Sequence, residues 1–336
     1  MLKSSTRRRV LAGGAAALAL GAVAGRGHSV AAQGLTTLKV NVFPGLTNLS
    51  IFAAQHKGYF AGQGLAIEIL NTPNSTVQRE GLAKGDHQLA HSASDNAVAM
   101  VEMSKWDVIL AMGGDNGLNR IIVQPEINSL ADLRGKTVVV DAPNTAFALL
   151  LYKALKNAGL NKGDYAVKPV GGTLARIKAM TEDKSNAAGA MNPPSSFNAT
   201  ERGLKDMGPA AKAVGTYQSD SLLVMREWAK ANNDTLVRYI KAYVQGRRWV
   251  LDPANKAEAI QLLVDRLKIT PQVAAQCYAV ALDPVDGIAK DAKFDVAGFD
   301  SVLKLRAEMQ GQWGGSPPAA SKYLDLSYYD KAIAGL

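Results

Sequence analysis

Cysteine is nearly missing from this chain: Cys277 is the only one, which excludes an intramolecular disulfide. Its neighbours Val273, Ala274 and Val280 suggest an apolar helix face, where a buried and inert thiol is expected. Histidine is scarce as well, with four in the chain. His87 and His91 stand four apart in a strand-like run, which separates them by about 13 Å and prevents them from chelating one metal. No metal and no cofactor are expected. There is no G-x-S-x-G elbow, and Ser92 and Ser94 have no base and acid partners in their sequence context, so no catalytic residue is assigned. Gly135-Lys136-Thr137 lacks the first glycine of a phosphate loop, since position 130 is Leu130, and it precedes a strand instead of following one. Heptads, low-complexity tracts and arrays of short repeats are absent too. Enzyme, nucleotide and metal readings fall away together, and a binding protein remains.

What is present sets the scale. At 336 residues, 47% hydrophobic and 20% charged, the chain reads as a soluble globular protein of two domains. Its net charge is +9, but Lys3, Arg7, Arg8, Arg9 and Arg26 lie in residues 1–32 with no acid beside them, leaving +4 for the rest. That remainder is spread out, so nucleic acid is not expected as a partner. Residues 1–32 read as an export signal: a basic start, an Ala/Gly/Leu stretch from Val10 to Gly25, and small residues around a cleavage site near Ala31 or Ala32. The apolar stretch of about 16 residues is shorter than the ~20 that a membrane span needs. Thr6-Arg7-Arg8-Arg9-Val10-Leu11 resembles the twin-arginine export consensus, which implies the twin-arginine machinery as a partner. With no cysteine in the cleavage region, no lipid anchor is expected, and the mature protein is expected to be a monomer free in the periplasm.

The mature chain is organised around three strand-like runs, Lys39 to Phe43, Leu65 to Leu70 and Gln88 to His91, each ending in a polar turn that opens a helix. In an open parallel sheet such turns stand together at the carboxyl ends of the strands and face one solute. They supply Thr47, Asn48, Asn74, Ser75, Ser94, Asp95 and Asn96 as candidate ligand-binding residues. Trp106 to Met112 is a fourth strand that ends in a glycine-rich loop holding Asp115, and Arg120 to Gln124 begins a second lobe. There the pattern repeats. The strand Val138 to Val140 leads to Asp141, Asn144 and Thr145 before the helix Ala146 to Ala158; Tyr165 to Val170 leads to Gly172 and Thr173 before the helix Leu174 to Thr181; and Ala187 to Met191 leads to Asn192-Pro193-Pro194-Ser195. Tyr217 and the run Leu222 to Met225 return the chain to the first lobe. Helices then follow over Asn233 to Leu251, Lys256 to Leu267, Pro271 to Leu282, Val296 to Gln312 and Leu326 to Ile333. The division is 36–119 plus 217–336 for one lobe and 120–216 for the other.

Helix amino-termini at Thr47/Asn48, Ser94 and Thr145 offer N–H groups suited to a sulfonate, carboxylate or related oxyanion. No arginine or lysine sits in these turns, whereas Asp95, Asp115 and Asp141 do, and these suit the amino groups of a neutral or cationic solute. Phe43, Phe147 and Tyr217 are candidates to stack on a ring. Both ligand classes stay open at this point.

Phe52-Ala53-Ala54-Gln55-His56-Lys57-Gly58-Tyr59-Phe60, Gly64-Leu65-Ala66-Ile67-Glu68-Ile69 and Gly81-Leu82-Ala83-Lys84-Gly85 resemble the signature of periplasmic solute-binding proteins for nitrate, sulfonate, taurine and thiamine-pyrimidine uptake. Ser129-Leu130-Ala131-Asp132-Leu133-Arg134-Gly135-Lys136-Thr137-Val138-Val139-Val140 resembles the block that opens the second lobe in the same family. The resemblance covers residues 36–310. It implies the α/β, type II periplasmic binding protein fold, two Rossmann-like lobes joined by a two-strand hinge, and a role as the solute-binding component of an ABC importer. A small-molecule solute and an inner-membrane ABC permease would be its partners. Alternatives within the resemblance are a binder of an aminopyrimidine or thiamine precursor and a ligand sensor for a signalling receptor. A related branch that synthesises the thiamine pyrimidine bears a cysteine-rich motif, which one cysteine cannot provide.

Overall fold

The computed structural model describes residues 34–284 and 286–336; the expected export signal, residues 1–32, lies outside them. Residues Leu35–Leu336 form one compact unit. Its strands are β1 (Thr36–Val42), β2 (Leu65–Asn71), β3 (Leu89–Ala93), β4 (Val108–Gly113), β5 (Arg120–Val123), β6 (Thr137–Val140), β7 (Ala166–Pro169), β8 (Asn186–Met191), β9 (Lys205–Pro209) and β10 (Asp220–Met225). They sort into two five-stranded sheets, ordered β2-β1-β3-β10-β4 and β7-β6-β8-β5-β9.

The two sheets repeat one plan. In the first, β1 runs parallel to β2 and β3, with Val40 opposite both Ile69 and Leu89, while β10 is antiparallel to β3 and β4. In the second, β6 runs parallel to β7 and β8, while β5 is antiparallel to β8 and β9. Each antiparallel strand is the first one the chain makes after passing between the sheets. The parallel strands are fed by helices, so their carboxyl ends share one edge of each sheet. The two connecting segments run side by side: Ser219 N–H donates to the Asp115 carbonyl at 3.0 Å and Ala210 N–H to the Asn119 carbonyl at 2.8 Å.

Burial of both sheet faces explains the strand composition. Every residue of β4 and β8 is buried, which suits their unbroken apolar or small side chains. The helix Asn233–Leu251 buries Leu236, Tyr239, Ile240, Tyr243 and Val244, one helical stripe, in the same core as Val40, Val42 and Leu222. The helix Ala146–Asn157 buries Leu149, Leu150 and Leu151 in the core that holds Val138 and Val140, and Phe299, Val302 and Leu305 of the helix Val296–Gln310 join it. Each such side chain contributes about 1.5–3 kcal/mol on burial. Cys277 is fully buried, and burial pushes its thiol up to about 12, the inert state expected of it. Among the described residues no helix is long and apolar enough to cross a membrane.

Several elements were not anticipated, the helices Tyr59–Gly62 and Arg226–Ala231 among them, and two others run against local propensity. The helix Ser195–Glu201 and the strand β9, Lys-Asp-Met-Gly-Pro, are rich in residues that disfavour those states. β9 forms because the open edge of β5 offers it backbone partners, with Pro209 confined to its end. Ser92 and Ala93, expected in a turn, extend β3, and the helix expected to reach Gln312 stops at Gln310, before Gly311 in the left-handed region.

Candidate ligand-binding site

The carboxyl ends of the parallel strands face each other across a crevice, and direct bonds span it. Leu46 N–H donates to the Pro193 carbonyl and Gly172 N–H to the Pro73 carbonyl, each at 3.1 Å. Ser75 Oγ donates to Asp141 Oδ2 at 2.8 Å. Gly172 permits this approach: a Cβ there would stand 2.8 Å from the Pro73 oxygen. Between the two sides lies a cavity of ≈ 330 Å³ with a mainly apolar lining. Phe43, Pro44 and Pro73 line it from the first sheet, Leu174 and Pro194 from the second, with Ile269 at the side.

Sharing Phe43 with this mouth is a second, smaller cavity of ≈ 40 Å³, where polar side chains stand among Phe43, Leu118 and Phe147. Its floor is the pair of connecting segments, which place Asp115 and Asn119 beside Ser219 and Asp220; β3 adds His91 and Ser92, and the β1 turn adds Thr47. Phe147 and Asn192 close it from the second sheet. Asp115 Oδ1 accepts from Gly117 N–H at 3.0 Å. Burial, then the neighbouring Asp220 carboxylate, push the Asp115 carboxyl up to about 7, so that near neutral pH it carries a proton about half the time. His91 approaches Asp220 Oδ2 through Nδ1 at 3.4 Å and the Tyr239 hydroxyl through Nε2 at 2.9 Å, and its ring stacks on Tyr243 at 4.9 Å. These contacts fix the face that β3 turns to the cavity. Gly114 is required beside it, because a Cβ would lie 2.6 Å from Asp220 Oδ2 and 2.7 Å from its carbonyl oxygen. The Arg247 guanidinium lies under this floor, spent on Ser50 Oγ, the Gly114 and Ala289 carbonyls and the Tyr243 hydroxyl. Among the described residues no arginine or lysine lines either cavity, and no group of three potential metal ligands occurs.

The residues singled out from the sequence divide into three sets. Thr47, Asp115 and Asn192 line the polar floor, and Gly172 and Thr173 line the mouth. A second set spans or braces the crevice. Asp141 spends one oxygen on Ser75 and the other on Thr145, whose Oγ1 donates to it. Asp95 is held by Arg306, whose Nη1 donates to Asp95 Oδ2 at 3.1 Å and to the Asn144 carbonyl at 3.2 Å. Burial pushes the Asp95 carboxyl up to about 6, against the pull of Arg306 and Arg79. The third set is local. Asn74 caps the helix Ser75–Lys84 through Val77 N–H; Asn48 Nδ2 donates to the Phe43 carbonyl, Ser94 Oγ to the Gln218 carbonyl and Asn96 Nδ2 to Ser92 Oγ. Tyr217 is buried at the second connecting segment and lines neither cavity. The side chains of Asn48, Ser94 and Thr145 do not cap their helices. The carboxylates that meet at the cavity are therefore Asp115 and Asp220, while Asp95 and Asp141 are committed to protein partners. Asn119, Ser219 and Asp220 were not singled out, since attention to strand carboxyl ends passes over the segments between the sheets. Arg176 was also missed: it holds the Gly171 carbonyl and Thr173 Oγ1, and its guanidinium lies 5.0 Å from the Phe147 ring.

Comparison with known proteins agrees with this geometry. A provisionally assigned ABC transporter periplasmic binding protein of Brachyspira hyodysenteriae is 24% identical over 226 residues, covering 62% of this chain and 64% of that relative, so the match spans less than two thirds of its length. The periplasmic nitrate-binding protein NrtA of Synechocystis superposes with a TM-score of 0.75 at 12% identity, over 90% of this chain and 89% of that one. The periplasmic aliphatic sulphonate binding protein SsuA of Escherichia coli gives a TM-score of 0.67 at 14% identity, over 89% of this chain and 99% of that one. The α/β architecture is thus the two-lobed periplasmic binding protein fold. The family model described as NMT1/THI5 like matches residues 47–257, and the chain belongs to that family.

Proposed function

We propose that the protein is the solute-binding component of an ABC importer, which captures a small organic molecule in the crevice and delivers it, chemically unaltered, to an inner-membrane permease. The observation that carries this reading is the arrangement of the cavities. A small cavity that holds Asp115, Asn119, Ser219 and Asp220 adjoins an apolar mouth at Phe43, lined from both sheets, at the carboxyl ends of the parallel strands where α/β folds bind ligands. The lobes are residues 36–119 with 217–336, and 120–216. The two connecting segments act as the hinge, and the bonds from Leu46, Gly172 and Ser75 form as it closes. The paired arginines after Thr6 would send the precursor through the twin-arginine route to the periplasm, where the protein works as a monomer.

A thermal-shift screen of the mature protein tests this reading, using sulfonates, carboxylates, nitrate, amines and aminopyrimidines. A ligand at 100 times its Kd adds about 2.7 kcal/mol and raises Tm. Small-angle scattering with the best ligand is expected to show a smaller radius of gyration. A screen without a single shift, together with an unchanged scattering profile, would overturn the receptor reading.

A further inference from the structure

We propose that the solute is amphipathic, with a cationic, donor-rich head such as an amidinium or a primary ammonium held by Asp115 and Asp220, and an apolar body that lies past Phe43 into the mouth. This rests on the receptor reading above and names the chemistry of the solute that the same site takes.

The head follows from what the floor offers. Asp115 and Asp220 bring two carboxylates to one small cavity, and a buried pair of this kind is costly when both are charged unless a cation joins it. The charged and titratable groups facing the pair are His91 from β3, Arg247, Tyr239 and Tyr243 from the helix Asn233–Leu251, and Tyr217 from the second connecting segment, the tyrosines staying neutral because burial raises them. Arg247 is already occupied by four oxygens, two of them backbone carbonyls, so it does not neutralise both acids. Asn119 gives independent evidence of a missing partner. It is 3% exposed and lines the same cavity, yet its Nδ2 has no hydrogen-bond partner among the described residues. Buried amide groups in folded proteins are almost always paired. A cationic head that donates to the two carboxylates would compensate the acids, and an acceptor atom carried on the solute beside that head would satisfy Asn119 Nδ2.

The body follows from the volumes. The floor cavity, ≈ 40 Å³, admits only a head of a few atoms, while the mouth, ≈ 330 Å³, is lined by Phe43, Pro44, Pro73, Leu174, Pro194 and Ile269. Together they reach the size range of small-molecule sites. Phe43 is the residue common to both cavities, and Phe147, with the Arg176 guanidinium 5.0 Å from its ring, lines the smaller one, so an aromatic surface stands next to the head.

Protons give the proposal a signature. A bound cation favours ionised Asp115, which otherwise holds its proton up to about 7. Cation binding below that pH therefore releases a proton, and affinity rises with pH until Asp115 is ionised in the free protein. From pH 6 to pH 8 the expected gain is about tenfold. An anionic head would behave in the opposite way, binding more tightly as Asp115 takes up its proton.

Isothermal titration calorimetry of the mature protein with benzamidine, acetamidine, benzoate and benzenesulfonate at pH 6 and pH 8 tests this. Benzamidine is expected to bind, about tenfold more tightly at pH 8, and with proton release at pH 6 that shows as a dependence on buffer ionisation enthalpy. Acetamidine, which has the head alone, is expected to bind at least tenfold more weakly. Asp220→Asn is expected to weaken benzamidine by more than tenfold. Should that variant fold poorly, Leu174→Ser, at an exposed position of the mouth, is expected to weaken 4-butylbenzamidine and leave acetamidine unchanged. Absence of benzamidine binding up to millimolar concentration overturns the proposal. So does tighter benzenesulfonate binding at pH 6, although that second result leaves the receptor reading standing.

Discussion

Asp115→Asn is the perturbation that isolates the electrostatics of the floor in the ligand-free protein. In an unfolded chain this carboxyl gives up its proton near 3.8, whereas burial and Asp220 keep it protonated to about 7 in the native fold. Between those values the native state binds more protons than the unfolded state, so stability is present in full below 3.8 and falls as pH rises towards 7. At ~1.4 kcal/mol per pH unit the whole shift is worth about 4 kcal/mol, of which about 2–3 kcal/mol is lost between pH 5 and pH 8. Asp95, raised to about 6 by burial, adds a smaller loss of the same sign. The depressed carboxyls of Glu102, Glu258 and Glu308 act in the opposite sense only below the ordinary glutamate value of 4.5, beneath this window, whereas His87, held below 6.5 by burial, opposes the loss within it. Urea unfolding followed by far-UV circular dichroism at pH 5 and pH 8 is therefore expected to find the wild type more stable at pH 5. Asp115→Asn keeps an acceptor for Gly117 N–H and is expected to remove about 2–3 kcal/mol of that difference, leaving the opposed parts due to Asp95 and His87. An Asp115→Asn variant that keeps the wild-type dependence on pH would refute the raised Asp115 carboxyl.

Arg306→Met leaves Asp95 buried without its cation, and a loss of about 3–5 kcal/mol is expected in urea unfolding at pH 8; adding Asp95→Asn should restore much of it. Gly114→Ala drives a Cβ against Asp220, and a cost of about 1–3 kcal/mol is expected in thermal unfolding, with weakened binding of whatever ligand the screen finds. Ser75→Ala removes a side-chain bond across the crevice for about 1.5–3 kcal/mol, and the ligand-free protein is expected to show a larger radius of gyration in solution scattering. Changing Arg7, Arg8 and Arg9 together to lysine keeps the charge but should leave precursor in the cytoplasm; normal export of that variant would remove the twin-arginine assignment.

The fold was legible where local pattern and tertiary context agree. The helices Asn233–Leu251 and Lys256–Leu267 have the bounds their apolar period implies, with Pro253 and Pro271 standing just beyond their ends. β9 was illegible because its Asp, Gly and Pro argue against a strand, and only the free edge of β5 makes one. The site was legible in part for a similar reason. Turn chemistry marks Thr47, Gly172 and Thr173, but it cannot say which polar turn residues meet a solute and which meet another residue. Asp95 and Asp141 carry the same signal as Asp115 and lie in equivalent turns. What separates them is Arg306 and Ser75, 211 and 66 residues away along the chain. Asp220 stands just ahead of the run Leu222 to Met225 and gave no signal, because its importance comes from the position of its segment beneath the crevice.

The bonds that span the crevice bear directly on the floor beneath them. The Leu46 and Gly172 N–H groups donate to carbonyls for about 1 kcal/mol net each and the Ser75 hydroxyl to the Asp141 carboxylate for about 1.5–3 kcal/mol, so the spanning bonds alone hold the two sides together with only a few kcal/mol. A solute that touches Phe147 and Asn192 on one side and Asp115 and Asp220 on the other adds to this small sum, and so selects the closed arrangement. Closure in turn excludes water from the acid pair, which raises the cost of leaving that pair uncompensated. Recognition of the head and closure of the lobes are therefore one coupled equilibrium: a solute able to neutralise Asp115 and Asp220 favours closure, and one that leaves both acids charged opposes it.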